Sequence, residues 1–120
     1  MTTERKVKAI WIFASIPFEG TQFVKIENPD FEITEVEVPR LKYLKLFLHK
    51  RFNGRDTSGD GYVLTEATSG FALTKYSRVR QACIDNAKAL ARQEGKKTIV
   101  QVIENMRAIH GDAPEPEYEI

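Results

Sequence analysis

The spacing of apolar residues changes period partway along the chain, and that change restricts the folds open to it. From Val7 to about Thr74 apolar residues alternate with others, or run in short blocks broken by Gly, Pro and Asn. After Ser77 they recur every three or four positions. The first pattern belongs to strands and the second to helices with one buried face. Strands grouped ahead of helices predict an α+β fold, an N-terminal antiparallel β-sheet followed by two C-terminal α-helices packed on it. The 120 residues are enough for one modest core. Residues 1–110 are expected to form that single domain.

Val7, Ala9, Trp11 and Phe13 alternate with Lys8, Ile10, Ile12 and Ala14, which leaves both faces largely apolar and suits a covered strand. Pro17 and Gly20 end it, and Phe23–Ile26 forms a second strand. Asn28-Pro29-Asp30 is a turn, because proline presets φ and Asn or Asp bonds nearby backbone. Phe31 to Val38 reads as a third strand with a slip in parity between Ile33 and Val36. The stretch from Arg40 to Phe52 satisfies both a helical and a strand period, and the strand is preferred because the next segment supplies a partner. Gly59-Asp60-Gly61 reads as a flexible loop, and Tyr62–Thr65 pairs with Phe71–Thr74 across a Thr68-Ser69-Gly70 turn.

Ser77 is expected to cap a helix carrying Val79, Cys83, Ala87 and Leu90 on one stripe, with Gly95 at its end. A second helix runs from about Lys96 to His110, with Ile99, Val102, Ile103, Met106 and Ile109 inward and Gly111 as its stop.

The charge count separates into unlike parts. The chain has 18 Lys+Arg against 17 Asp+Glu, a formal net charge of +1. Four of the acids, Asp112, Glu115, Glu117 and Glu119, lie in the Pro-containing segment 111–120, which holds no base. That segment reads as an extended, solvated acidic tail on a basic body. Within the body, Arg40, Lys42, Lys45, Lys50, Arg51 and Arg55 follow one another with no acid between, interleaved with Tyr43, Phe47 and Phe52. A solvated polar face explains such a run, and so does anion or nucleotide binding with rings stacking on bases. Overall neutrality argues against a long nucleic acid as partner and leaves room for a compact phosphate-bearing ligand.

Enzyme signatures are missing. His49 and His110 lie far apart, and the lone Cys83 excludes an intramolecular disulfide and a cysteine cluster. Cys83 falls on the apolar stripe, where a buried structural thiol is the ordinary role. Segment 56–61 lacks the ligand register of a calcium loop, and no phosphate-binding glycine loop is present. No cofactor, metal or catalytic residue is therefore expected. The apolar run from about Ala9 to Ile16 is too short to span a bilayer and no export pattern precedes it, so the expected location is cytoplasmic.

On a helical period Asn86 shares the face of Val79, Ala82, Cys83, Ala87 and Leu90. A buried amide left unsatisfied costs about 1–3 kcal/mol, so Asn86 is expected to find backbone, a neighbouring subunit or a ligand. An amide can read the edge of adenine through one donor and one acceptor. Tyr76 and Phe71 are candidate rings for the base, and Arg51, Arg55, Arg78, Arg80 and Arg107 candidate partners for phosphate.

The order of sheet then two helices, the Tyr62-Val63-Leu64-Thr65-Glu66-Ala67-Thr68-Ser69-Gly70-Phe71-Ala72 hairpin, and a helix opening at Ser77-Arg78 and carrying Asn86 together resemble the phage-encoded Thoeris anti-defence sponge proteins of the first type. The resemblance implies a non-catalytic homo-oligomer, acting in the host cytoplasm, that sequesters an intact cyclic ADP-ribose-type signal between protomers. By that resemblance Asn86 would contact adenine and arginines the pyrophosphate. Two other readings remain open: an anti-CRISPR-like inhibitor of a protein partner, with the acidic tail imitating phosphate, and a small nucleic-acid-binding protein.

Overall fold

A computed structural model describes residues 6–54 and 58–119. Among these residues the strands are β1 (Val7–Ile16), β2 (Gly20–Glu27), β3 (Thr34–Val36), β4 (Leu46–Phe52), β5 (Ser58–Glu66) and β6 (Glu117–Tyr118). The helices are α1 (Arg80–Gln93) and α2 (Lys96–His110). The strands form two antiparallel sheets, ordered β2-β1-β6 and β3-β4-β5. The fold is α+β, as the change of period predicts, but its β half is divided.

β4 explains both the division and the ambiguity of its sequence. Leu46 and Leu48 point to one face, where they meet Val38, Leu41, Leu64, Cys83, Ala87 and Ile99. Phe47 points to the other and joins Val7, Ile10, Ile12, Ile26, Phe31 and Ile33. A strand buried on both faces must be apolar at successive positions, so neither a period of two nor of 3.6 stands out. The second sheet is thus the middle layer, with the first sheet on one side and the helices on the other. Asn28 ties the first two layers: its amide donates to Val7 O (2.8 Å) and Ile33 O (2.9 Å), and its side-chain oxygen accepts from Ile33 N (2.6 Å).

Several expectations are corrected. The strand preferred for 40–52 begins only at Leu46, after turns. The third strand shrinks to Thr34–Val36, since Phe31 and Ile33 turn into the core. Gly59-Asp60-Gly61 belongs to β5 rather than to a loop. Phe71–Thr74 meets β5 through one bridge, Thr65↔Ala72, and two backbone bonds, Glu66 N to Phe71 O and Leu73 N to Leu64 O. Ser77 does not cap α1: its hydroxyl accepts from Val79 N (3.2 Å), and the helix starts at Arg80 behind Val79. Gly95 stands at the N-cap of α2 instead of closing α1, while Gly111 ends α2 at φ 85° as expected. Of the residues assigned inward on α2, Ile99 is buried, whereas Val102 and Ile109 are exposed.

The acidic segment is docked rather than solvated. Glu117 and Tyr118 pair with Ala9 and Val7 of β1, Ala113 is buried, and Ala113 N donates to Thr68 O (2.9 Å). Tyr118 packs on the core between the sheets and donates its hydroxyl to Glu35 Oε1 (2.8 Å). Apolar Ala113 and Tyr118 place the segment where its acids alone do not predict it.

Candidate functional site

The two neighbouring bases of β4 go to different places. Lys50 shares the face of Leu46 and Leu48, where its ammonium meets Glu32 Oε2 at 2.8 Å. That carboxylate holds the Lys50 ammonium above the usual lysine range. Arg51 stands at the register shift between Lys50 and Phe52 and lines the cleft between the sheets beside His49. Its guanidinium lies 4.5 Å from the centre of the Tyr76 ring, within cation–π range.

Tyr76 reaches that position because of Gly61. Tyr62 and Ser77 exchange backbone hydrogen bonds (2.6 and 2.9 Å), which lays the Tyr76 segment beside β5. Gly61 has φ 96°, and a Cβ there would sit 2.9 Å from Tyr76 Cδ2. A glycine inside a strand signals such a close approach. Tyr62 in turn lies under Arg80, whose guanidinium is 5.4 Å from the ring centre and 4.0 Å from Glu32.

Arg51 borders a cleft of about 490 Å³ between the sheets, lined also by Ile12, Phe13, Ala14, Pro17, His49, Phe52, Val63, Thr65 and Ala72. Its volume falls within the roughly 300–1,000 Å³ of small-molecule sites. His49 forms part of its wall and is 1% exposed. Its Nδ1 lies 2.7 Å from Lys50 O, a carbonyl that can only accept, so Nδ1 carries the proton. Nε2 then accepts from Thr65 Oγ1 at 2.7 Å. Burial pushes the imidazole down from 6.5 to about 4, which keeps it neutral at pH 7.

The residues expected to share one site are dispersed. Arg51 and Tyr76 come together, with exposed Arg78 two residues beyond Tyr76. Arg80 stands on the Tyr62 side. Phe71 packs instead against Phe13 (4.9 Å) and His110 (5.4 Å). Arg107 is held by Asp112, with Nε donating to Oδ1 at 2.7 Å and an N–H of Nη2 to Oδ2 at 3.2 Å. Arg55 lies outside the described residues.

Asn86 overturns the premise on which it was singled out. It is exposed, because Cys83 and Ala87 take the buried line of α1 and three residues past Cys83 already faces water. Its amide needs no protein or ligand partner. The interleaved aromatics of 40–55 do not form a stacking surface either. Phe47 is buried, Phe52 stacks on Phe31 at 6.4 Å, and Tyr43 lies 4.8 Å beneath the Lys96 ammonium. Cys83 behaves as expected of a structural thiol: it is buried, its Sγ–H reaches Tyr62 O at 3.4 Å, and burial pushes its pKa up.

Sequence reasoning missed Glu32, which binds Lys50 and approaches Arg80, and Tyr62. Gly61 inside an alternating run was the available signal for the close approach beside Tyr62. Among the described residues no group of three or more His, Cys, Asp or Glu is placed to hold a metal ion, and no helix is long and apolar enough to cross a membrane. Set against protein-family models, curated proteins and solved structures, the chain matches none.

Proposed function

We propose that this chain is a non-catalytic binding protein that sequesters a small anionic nucleotide, and that it does so as a homo-oligomer. The observation that carries the reading is the Arg51 guanidinium, 4.5 Å from the centre of the Tyr76 ring, beside a cleft of about 490 Å³. A cation–π contact does not use up the five N–H donors of a guanidinium, which can also meet phosphate oxygens. The cleft wall below is apolar, with Ile12, Phe52 and Val63, as a base or ribose face requires. Arg78, exposed near Tyr76, adds a second cation on the same segment.

The ligand class is a nucleotide with a pyrophosphate, and cyclic ADP-ribose is the first member to test. Retention of such a signal without cleavage would block the immune effector it activates. The rival in which the acidic segment imitates phosphate has less support, since Asp112 is spent on Arg107 and Glu117 on Lys25 at 2.9 Å. A long nucleic-acid footprint also loses support, because Lys50 is held by Glu32 while Arg51 lines the cleft.

Isothermal titration with cyclic ADP-ribose isomers, ADP-ribose and ATP, followed by heat release and mass spectrometry, tests the reading. The expected result is stoichiometric binding of one class and recovery of unaltered ligand. Absence of binding at millimolar ligand overturns it, and recovery of a converted product replaces it with an enzyme.

A further inference from the structure

The tip of the β1–β2 hairpin breaks the rule of its own turn. Glu19 N donates to Ile16 O at 3.1 Å, closing a four-residue turn with Pro17 second and Phe18 third. Phe18 has φ 67°. This is type II geometry, whose third position asks for Gly or Asn. A bulky residue is strained there. Among the described residues no packing of the ring offsets that strain, since Phe18 is fully exposed.

The turn lies against the end of β4 at Pro17. Gly54, at φ 84°, lies so near that a Cβ would stand 3.3 Å from Pro17 Cδ. An aromatic ring that nothing covers among the described residues has the character of an interface anchor. Beside it Glu19 carries a negative charge, so the matching surface is an apolar concavity with a cation on its rim. The cleft between the sheets has that composition, with Ile12, Pro17, Phe52, Val63 and Ala72 on its walls and Arg51 at its edge. Pro17 belongs to both features, so tip and cleft open at the same end of the molecule. Two copies facing each other across a two-fold axis at that end can exchange tips reciprocally.

We infer that two copies of this chain associate through this exchange, each Phe18 entering the other's cleft and each Glu19 meeting the partner's Arg51. The inference rests on the homo-oligomer part of the proposed function and supplies an interface for the ligand-free protein. Nucleotide entering the cleft takes the place of the partner's tip at Arg51.

Sedimentation velocity without nucleotide, up to about 1 mM protein, tests it, since that concentration populates even weak association. The wild type is expected to form a dimer. Phe18→Gly is expected to weaken it at least about tenfold, as truncating an anchor does. The same change relieves the turn, so its thermal midpoint should equal or exceed that of the wild type. Glu19→Arg and Arg51→Glu should each weaken the dimer and restore it when combined. A wild-type monomer overturns both the interface and the oligomer reading. A dimer untouched by Phe18→Gly overturns the interface alone. Co-sedimentation of a monomeric wild type with phosphatidylcholine vesicles would assign the ring to a membrane and overturn it likewise.

Discussion

His49 Nε2 lies 2.7 Å from Thr65 Oγ1, joining β4 to β5 on the face turned toward the first sheet. In the neutral ring Nε2 accepts from the hydroxyl, whereas a protonated Nε2 would have to donate to it and would carry a buried charge. In the unfolded chain the ring takes its proton near 6.5, whereas burial lowers the folded value to about 4. Between those values the unfolded state binds the extra proton, so stability falls as pH falls. The full effect is about 3 kcal/mol, present above pH 6.5 and lost toward pH 4. Urea midpoints from pH 7.5 down to 4 check this, and His49→Gln should flatten the slope.

Thr65→Val removes the donor and keeps the shape. The buried Nε2 of His49 is then an acceptor without a partner, at a cost of about 1–3 kcal/mol. Chemical denaturation at pH 7.5 measures it. An effect below about 0.5 kcal/mol would mean that the hydroxyl does not satisfy the ring.

Glu66 is 2% exposed and clamps the turn after β5. It accepts from Thr68 N (2.7 Å), Thr68 Oγ1 (2.8 Å) and Ser69 N (2.9 Å). Glu66→Ala strands two backbone N–H groups and is expected to destabilise by about 3 kcal/mol, as loss of charge-assisted bonds does. Amide exchange at Thr68 and Ser69 should accelerate with it.

Removal of residues 112–120 takes away β6 and the Tyr118 ring from the core between the sheets. Loss of one large half-buried ring and its ladder bonds is expected to cost about 2 kcal/mol or more. A solvated tail would cost nothing, so thermal denaturation of the shortened chain separates the two cases.

Asn86→Ala is expected to leave stability within about 0.5 kcal/mol, because the residue is exposed and alanine favours the helix. Arg51→Ala is expected to weaken nucleotide binding at least about tenfold, the loss of one charge-assisted contact. Titration of both variants beside the wild type distinguishes a residue of the site from one on an exposed helix face.

By itself the sequence determined what local periodicity can encode. The order of strands then helices, α2 from Lys96 to His110, the Gly111 stop and the buried Cys83 all follow from spacing, because a helix or strand buries whichever face its own residues make apolar. Tertiary structure decided everything that depends on which faces meet. It split the β half into two sheets, turned Asn86 outward on a helix with a narrower buried stripe than its apolar residues suggest, and drew the acidic segment against β1 through Tyr118. It also separated Lys50 from Arg51 and set Arg51 on Tyr76, 25 positions away in the chain. Such pairings join residues distant in sequence, and no local pattern carries the information about which distant surface completes them.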